Sequence, residues 1–151
     1  MVTDMEEEQS QLVQFKCEIN EEDPSKTHFA MIMTCKKLMD EQRSQKHINI
    51  DGTWKLIYKN FPVIVWGYSD INRHVHPTGV AIVSSETAQV FKWIFEFLKP
   101  FQLGDDDEEW IPLEVVADNS RAITAAINEV LLDVERRNCF AHLCMNVDKK
   151  F

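Results

Sequence analysis

An α/β fold built on a mixed sheet is what the sequence predicts, and two patterns carry that expectation. Three apolar stretches of strand length, around 48–57, 61–70 and 78–84, follow one another with short links, as in an antiparallel meander. After them, helix-like and strand-like segments alternate, so a sheet that mixes parallel with antiparallel strands and is covered by helices is expected. With 151 residues the chain is long enough for one domain with a real core and short for two.

Residues 1–27 show little apolar periodicity and close on "EEDPSK", which reads as a flexible acidic N-terminal segment ahead of a domain spanning 28–151. Phe29 to Met33 is a short apolar run suited to an edge strand. Thr34 can cap a helix over 35–46, with Leu38 and Met39 as its apolar stripe. In the first meander strand, alternation sends Ile48 and Ile50 one way and Asn49, Asp51 and Thr53 the other. "FPVIVWGYSD" is the second strand, "INRHVHP" the turn, and "TGVAIVS" the third strand. Ser84 or Ser85 is placed to cap the next helix, in which Val90, Phe91, Ile94, Phe95 and Leu98 recur at helical spacing until Pro100. The acidic run 102–109 reads as a loop, "IPLEVVAD" as a buried strand, and 120–135 as a helix. "NCFAH" is expected as a fifth strand, and "LCMNVDKKF" as the start of another helix.

Composition excludes several classes. The start "MVTDMEEEQSQ" is acidic, the reverse of a secretory leader, and no apolar run is long enough to cross a bilayer. Cysteines 17, 35, 139 and 144 form no CxxC pair and fit reduced thiols. The net charge of −9 is unfavourable for holding DNA, but it is concentrated in residues 1–23 and in "DDDEE" at 105–109. Without those two stretches the remainder is mildly basic.

The candidate chemistry lies in two aspartates. Asp51 interrupts an apolar strand, where a carboxylate is costly unless it is solvated, paired or bound to a metal. Asp118 ends a buried-looking strand just before a helix, a position that suits a ligand site and also suits helix capping. Paired carboxylates at strand tips suit Mg²⁺ or Mn²⁺, and two such ions serve phosphodiester chemistry. Downstream, Cys139 and His142 form a C-x-x-H, which supplies two of the four ligands that a structural zinc needs, so zinc is not expected. His74 and His76 read as turn residues, and Trp54, Trp66 and Trp93 as core. Lys55, Lys59, Arg73, Arg121, Arg136 and Arg137 are scattered bases able to touch phosphates.

"INIDGTWKL", "HPTGVAIVSSETAQVFKWIFEFLK", "VVADNSRAITAAI" and "CFAHLCMNVDKKF" occur in an order and at spacings that resemble the Mutator-like element (MULE) transposase domain, over roughly 47–151. The resemblance implies an RNase H-like fold of the DDE/D class, in which the strands bearing Asp51 and Asp118 are neighbours and both residues are catalytic, metal-binding acids. It also implies a third acid beyond the C-x-x-H motif. The domain is therefore expected to be partial, truncated at its C-terminus and inactive alone. The implied activity is metal-dependent cleavage and strand transfer of DNA at transposon ends, in the nucleus, with no membrane partner and with oligomers in the intact transposase. The alternative is a domesticated, non-catalytic interaction module that keeps the fold. An exonuclease of the same superfold would want an acid two residues after Asp51, and Thr53 stands there.

Overall fold

The computed structural model describes residues 11–53, 55–99 and 112–139. Within them a seven-stranded mixed sheet has the order β1-β2-β5-β4-β3-β6-β7. The strands are β1 (Gln11–Glu18), β2 (His28–Cys35), β3 (His47–Thr53), β4 (Val63–Ser69), β5 (Val75–Val83), β6 (Glu114–Ala117) and β7 (Glu135–Asn138). Among the described residues the α-helices are α1 (Lys36–Arg43), α2 (Ala88–Leu98) and α3 (Arg121–Val130). The meander β3-β4-β5 is antiparallel throughout, as its runs predict, whereas β6 joins β3 in parallel and β7 joins β6 in parallel.

Alternation along the strands divides the sheet into two faces. Ala30, Ile32, Ile48, Ile50, Ile64, Trp66, Ala81, Val83, Val115 and Ala117 are buried in one core cluster with the apolar sides of α2 and α3. Helix α2 supplies Val90, Phe91, Ile94, Phe95 and Leu98 at the predicted spacing, and α3 supplies Ile123, Ala126, Ile127 and Val130. Trp66 and Trp93 are core residues, as expected. The other face carries Asn49, Asp51, Val65, Val80 and Met33, all half-buried or exposed.

Several elements differ from the sequence reading. The segment expected to be a flexible lead contains β1, paired antiparallel with β2 from Gln11↔Cys35 to Glu18↔His28. Its apolar residues are split between faces, Leu12 toward the core and Val13 and Phe15 away from it, so no single stripe betrays it. Because β1 lies outside it, β2 is an interior strand, not an edge. Helix α1 starts after Cys35, since Thr34 is committed elsewhere: its hydroxyl donates to the Thr78 carbonyl at 2.6 Å. Thr78 in turn donates to Gln42 Oε1, and Gln42 Nε2 donates to the His47 carbonyl, so a buried polar chain ties α1 to β5 and to the start of β3. Helix α2 is capped by Thr87, whose hydroxyl accepts from Val90 N. Ser84 instead bridges to Phe29, accepting from its N–H and donating its own N–H to the Phe29 carbonyl. Helix α3 ends at Val130, well before 135, because the chain turns through Asp133 at φ 69° to begin β7. That last strand is the charged "ERRN", not "NCFAH", of which only Asn138 and Cys139 fall among the described residues. The acidic loop 102–109 and the helix expected from Leu143 lie outside the described residues.

Two local features yield predictions. Trp66 pairs across the strands with Gly79, and a Cβ at Gly79 would overlap the buried Trp66 indole. Gly79→Ala is expected to lower stability by about 1–3 kcal/mol through forced repacking. An unchanged midpoint in urea would show that the indole does not occupy that space. At the β4–β5 turn, His76 Nε2 lies 3.1 Å from Asp70 Oδ2, and His74 N donates to Asp70 Oδ1 at 2.9 Å. The His76 bond first, then the His74 backbone donor, holds the Asp70 carboxyl below its ordinary value. A carboxyl depressed in the folded state adds stability above its unfolded pKa of about 3.9 and loses it as pH falls through the folded value. Asp70→Asn should therefore lower the melting temperature slightly at neutral pH, with the gap to wild type closing in acid. A gap that stays constant down to acid would refute the linkage.

Candidate functional site at the strand ends

The parallel ladders decide what meets at the sheet edge. β3 and β6 pair as His47↔Glu114, Ile48↔Val115 and Asn49↔Val116. The pairing ends at Asn49↔Val116, and the same register carried two residues further would align Asp51 with Asp118. β6 and β7 pair from Glu114↔Glu135 to Ala117↔Asn138, and the next step sets Cys139 beside Asp118. Cys139 N donates to the Ala117 carbonyl at 2.6 Å, which prolongs that ladder past the last strand residue. The two ladders thus direct Asp51, Asp118 and Cys139 to one end of the sheet, where Asp51 and Cys139 line one cavity.

The environments of the three differ. Asp51 is exposed at its strand end and pairs across the meander with Val65. It lines a cavity of about 370 Å³ together with Asn49, Val116 and Cys139, so Cys139 shares the space of the first acid. Asp118 is half-buried and is not among the residues lining that cavity. Its Oδ1 accepts from Ser120 N at 3.1 Å, and its carbonyl accepts from the Arg136 guanidinium. The helix cap is Ser120, whose hydroxyl accepts from Ile123 N, so Asp118 braces the turn ahead of α3 without capping it. His142 and Cys144 lie outside the described residues. Among the described residues no group of three or more His, Cys, Asp or Glu side chains is gathered closely enough to hold a metal ion. A pair of carboxylates is still adequate for Mg²⁺, which keeps several waters and takes one or two carboxylates with substrate phosphates.

Polar residues around the site were only partly legible. Asn49, on the acid face, has its side chain donating to Ser69 Oγ, and the ring nitrogen Nε2 of His47 accepts from Ser69 N. Strand alternation marks Asn49 as sharing the face of Asp51, but nothing in the sequence points to its cross-strand partner. His74 sits on the β4–β5 turn, as expected, whereas His76 lies within β5, paired with Tyr68 and stacked on its ring. Arg137 pairs with Glu114 of β6 at 2.7 Å, which helps hold β7 on β6, and with Glu135 of its own strand at 3.2 Å, while its side chain stays exposed. Arg136 is likewise engaged at the Asp118 turn. Among the described residues no helix is long and apolar enough to cross a membrane.

A stretch of 98 residues is 29% identical to the PKS-NRPS hybrid synthetase cheA of Chaetomium globosum, covering 65% of this chain. The chain spans about 2% of that protein's length. The model of the MULE transposase domain matches residues 47–146, from the first residue of β3 past the last described strand. Two thirds of the sequence is thus accounted for by one family, and the chain belongs to the MULE transposase domain family.

Proposed function

We propose that this chain is part of a DNA transposase catalytic domain of the DDE/D class, acting in the nucleus on transposon ends. One observation carries the reading: a parallel β3–β6 register that, continued, puts Asp51 next to Asp118 at one end of the sheet. The order β5-β4-β3-β6-β7, antiparallel up to β3 and parallel beyond it, is the arrangement expected of an RNase H-like core. β1 and β2 extend that core on its antiparallel side.

In this reading Asp51 and Asp118 hold Mg²⁺ or Mn²⁺. Bound there, the ions would polarise the scissile phosphate and favour ionisation of the attacking water or 3′-hydroxyl. The protein's own contribution is position. β3 and β6 fix the two carboxylates on a rigid sheet, and the bond from Ser120 N orients the Asp118 carboxylate. Cys139 lines the cavity beside Asp51. The resemblance calls for a third acid beyond the C-x-x-H motif, and without one such a site would bind metal weakly and the chain alone would have low activity. The lack of such an acid would equally suit a second reading, a domesticated interaction module that keeps the fold and has no use for the metal.

Titration with Mn²⁺, followed by its electron spin resonance, separates the two. Wild type should bind, and Asp51→Asn and Asp118→Asn should each weaken binding about tenfold or more, which is about 1.4 kcal/mol. Equal binding by all three proteins would remove the metal site, and no binding by any would favour the interaction module.

A further inference from the structure

The loop that leaves the acid-bearing end of β3 has an unusual backbone. Between Lys55 and Asn60, three non-glycine residues adopt left-handed conformations: Lys55 at φ 67°, Lys59 at φ 66° and Asn60 at φ 56°. The only other described residues to do so are Arg73 and Asp133. Asparagine visits this region readily, but lysine lacks the short polar side chain that eases it. Such strain persists where the surroundings impose it, and it clusters at ligand clamps. Here the strained backbone displays an unusual set of side chains. Tyr58 is 87% exposed and Leu56 65% exposed, while Ile57 is half-buried between them. The Tyr58 ring stacks on none of the described aromatic rings. Lys55 and Lys59 are exposed, and neither forms an ion pair with a described residue, although the chain carries a net charge of −9.

Location adds to composition. β3, β6 and β7 are parallel, so their carboxyl ends lie at one edge of the sheet, and Lys55 stands four residues after Asp51. An exposed aromatic flanked by two uncompensated cations is the combination that grips unpaired nucleic acid: the ring stacks on a base, and the cations take the phosphates on either side.

We propose that Lys55, Tyr58 and Lys59 form a grip for a frayed or single-stranded DNA end, with Tyr58 as the stacking platform. The proposal rests on the reading of Asp51 and Asp118 as a phosphodiester site, because the loop would deliver the strand to that edge.

The test uses the full chain and fluorescence anisotropy with two labelled oligonucleotides, a blunt duplex and the same duplex with a short single-stranded overhang. Wild type should prefer the overhang. Tyr58→Ala should weaken overhang binding about 5- to 150-fold, and Tyr58→Phe should keep it. Each of Lys55→Ala and Lys59→Ala should reduce the slope of log K against log salt by about 0.7–0.9. Because these side chains are exposed, the substitutions should leave the melting temperature unchanged. Wild-type affinity in Tyr58→Ala, equal binding of the blunt and overhang duplexes, or a wild type that binds neither would each overturn the grip. The double variant Asp51→Asn with Asp118→Asn separates the two ideas. If those carboxylates bind no cation while overhang binding still depends on Tyr58, the phosphodiester reading fails and the grip stands. If the cation binds at the carboxylates but Tyr58→Ala changes nothing, the reverse holds.

Discussion

The structure depends on the parallel register between β3 and β6. A slip of one residue in a strand exchanges its two faces, so register is strongly specified wherever one face is buried. Here the burial is firm: Ile48, Ile50, Val115 and Ala117 are each no more than 2% exposed beneath the helices. The core therefore fixes the register, and the register decides which residues meet on the opposite face. A one-residue slip would turn Asp51 into the core and bring Ile50 out. In this way the apolar side of the sheet positions the polar side.

A second constraint holds the early part of the chain to this frame. Thr34, Thr78 and Gln42 are all buried and joined by hydrogen bonds, and Gln42 reaches on to the His47 carbonyl at the first residue of β3. Buried polar groups are costly when unpaired and specific when satisfied. This chain fixes where α1 ends and where β3 begins, so it locates the strand that carries Asp51. The β4–β5 turn closes the meander beside the start of β3, where Asp70 gathers donors from both His74 and His76.

What could be seen in the sequence follows from how each element is buried. The meander, α2 and α3 were legible because each buries one regular apolar stripe. β1 was not, because its apolar residues are divided between the faces and Lys16 among them reaches Glu96 on α2. β7 was not, because it is a charged edge strand that the ion pair between Arg137 and Glu114 helps hold, and ion pairs leave no periodicity. The caps were displaced for a related reason. Thr34 and Ser84 are good capping residues by type, but both are used in contacts between strands that lie far apart in sequence. Asp51 and Asp118 stood out as acids at the ends of apolar runs. The placement of Cys139 at the same end of the sheet needs the second parallel ladder, which the expected strand "NCFAH" would have placed in a different register.

The pairing of two carboxylates on neighbouring strands has an energetic consequence that bears on function. Parallel strands lie about 4.8 Å apart, and like charges at about that distance repel by roughly 1 kcal/mol in water and 3 kcal/mol at the effective dielectric of a protein surface. Carboxylates brought as close as the proposed metal site requires would repel in this way. The Ser120 N–H donates to the Asp118 carboxylate. A divalent cation between the two would turn the repulsion into attraction, which is the physical argument for reading the pair as a metal site, not as an accident of the edge. The same logic applies to the loop that follows. Lys55 and Lys59 lie within eight residues of Asp51, exposed and without ion-pair partners among the described residues. Exposed on this left-handed backbone, they are available to a polyanion that approaches this end of the sheet.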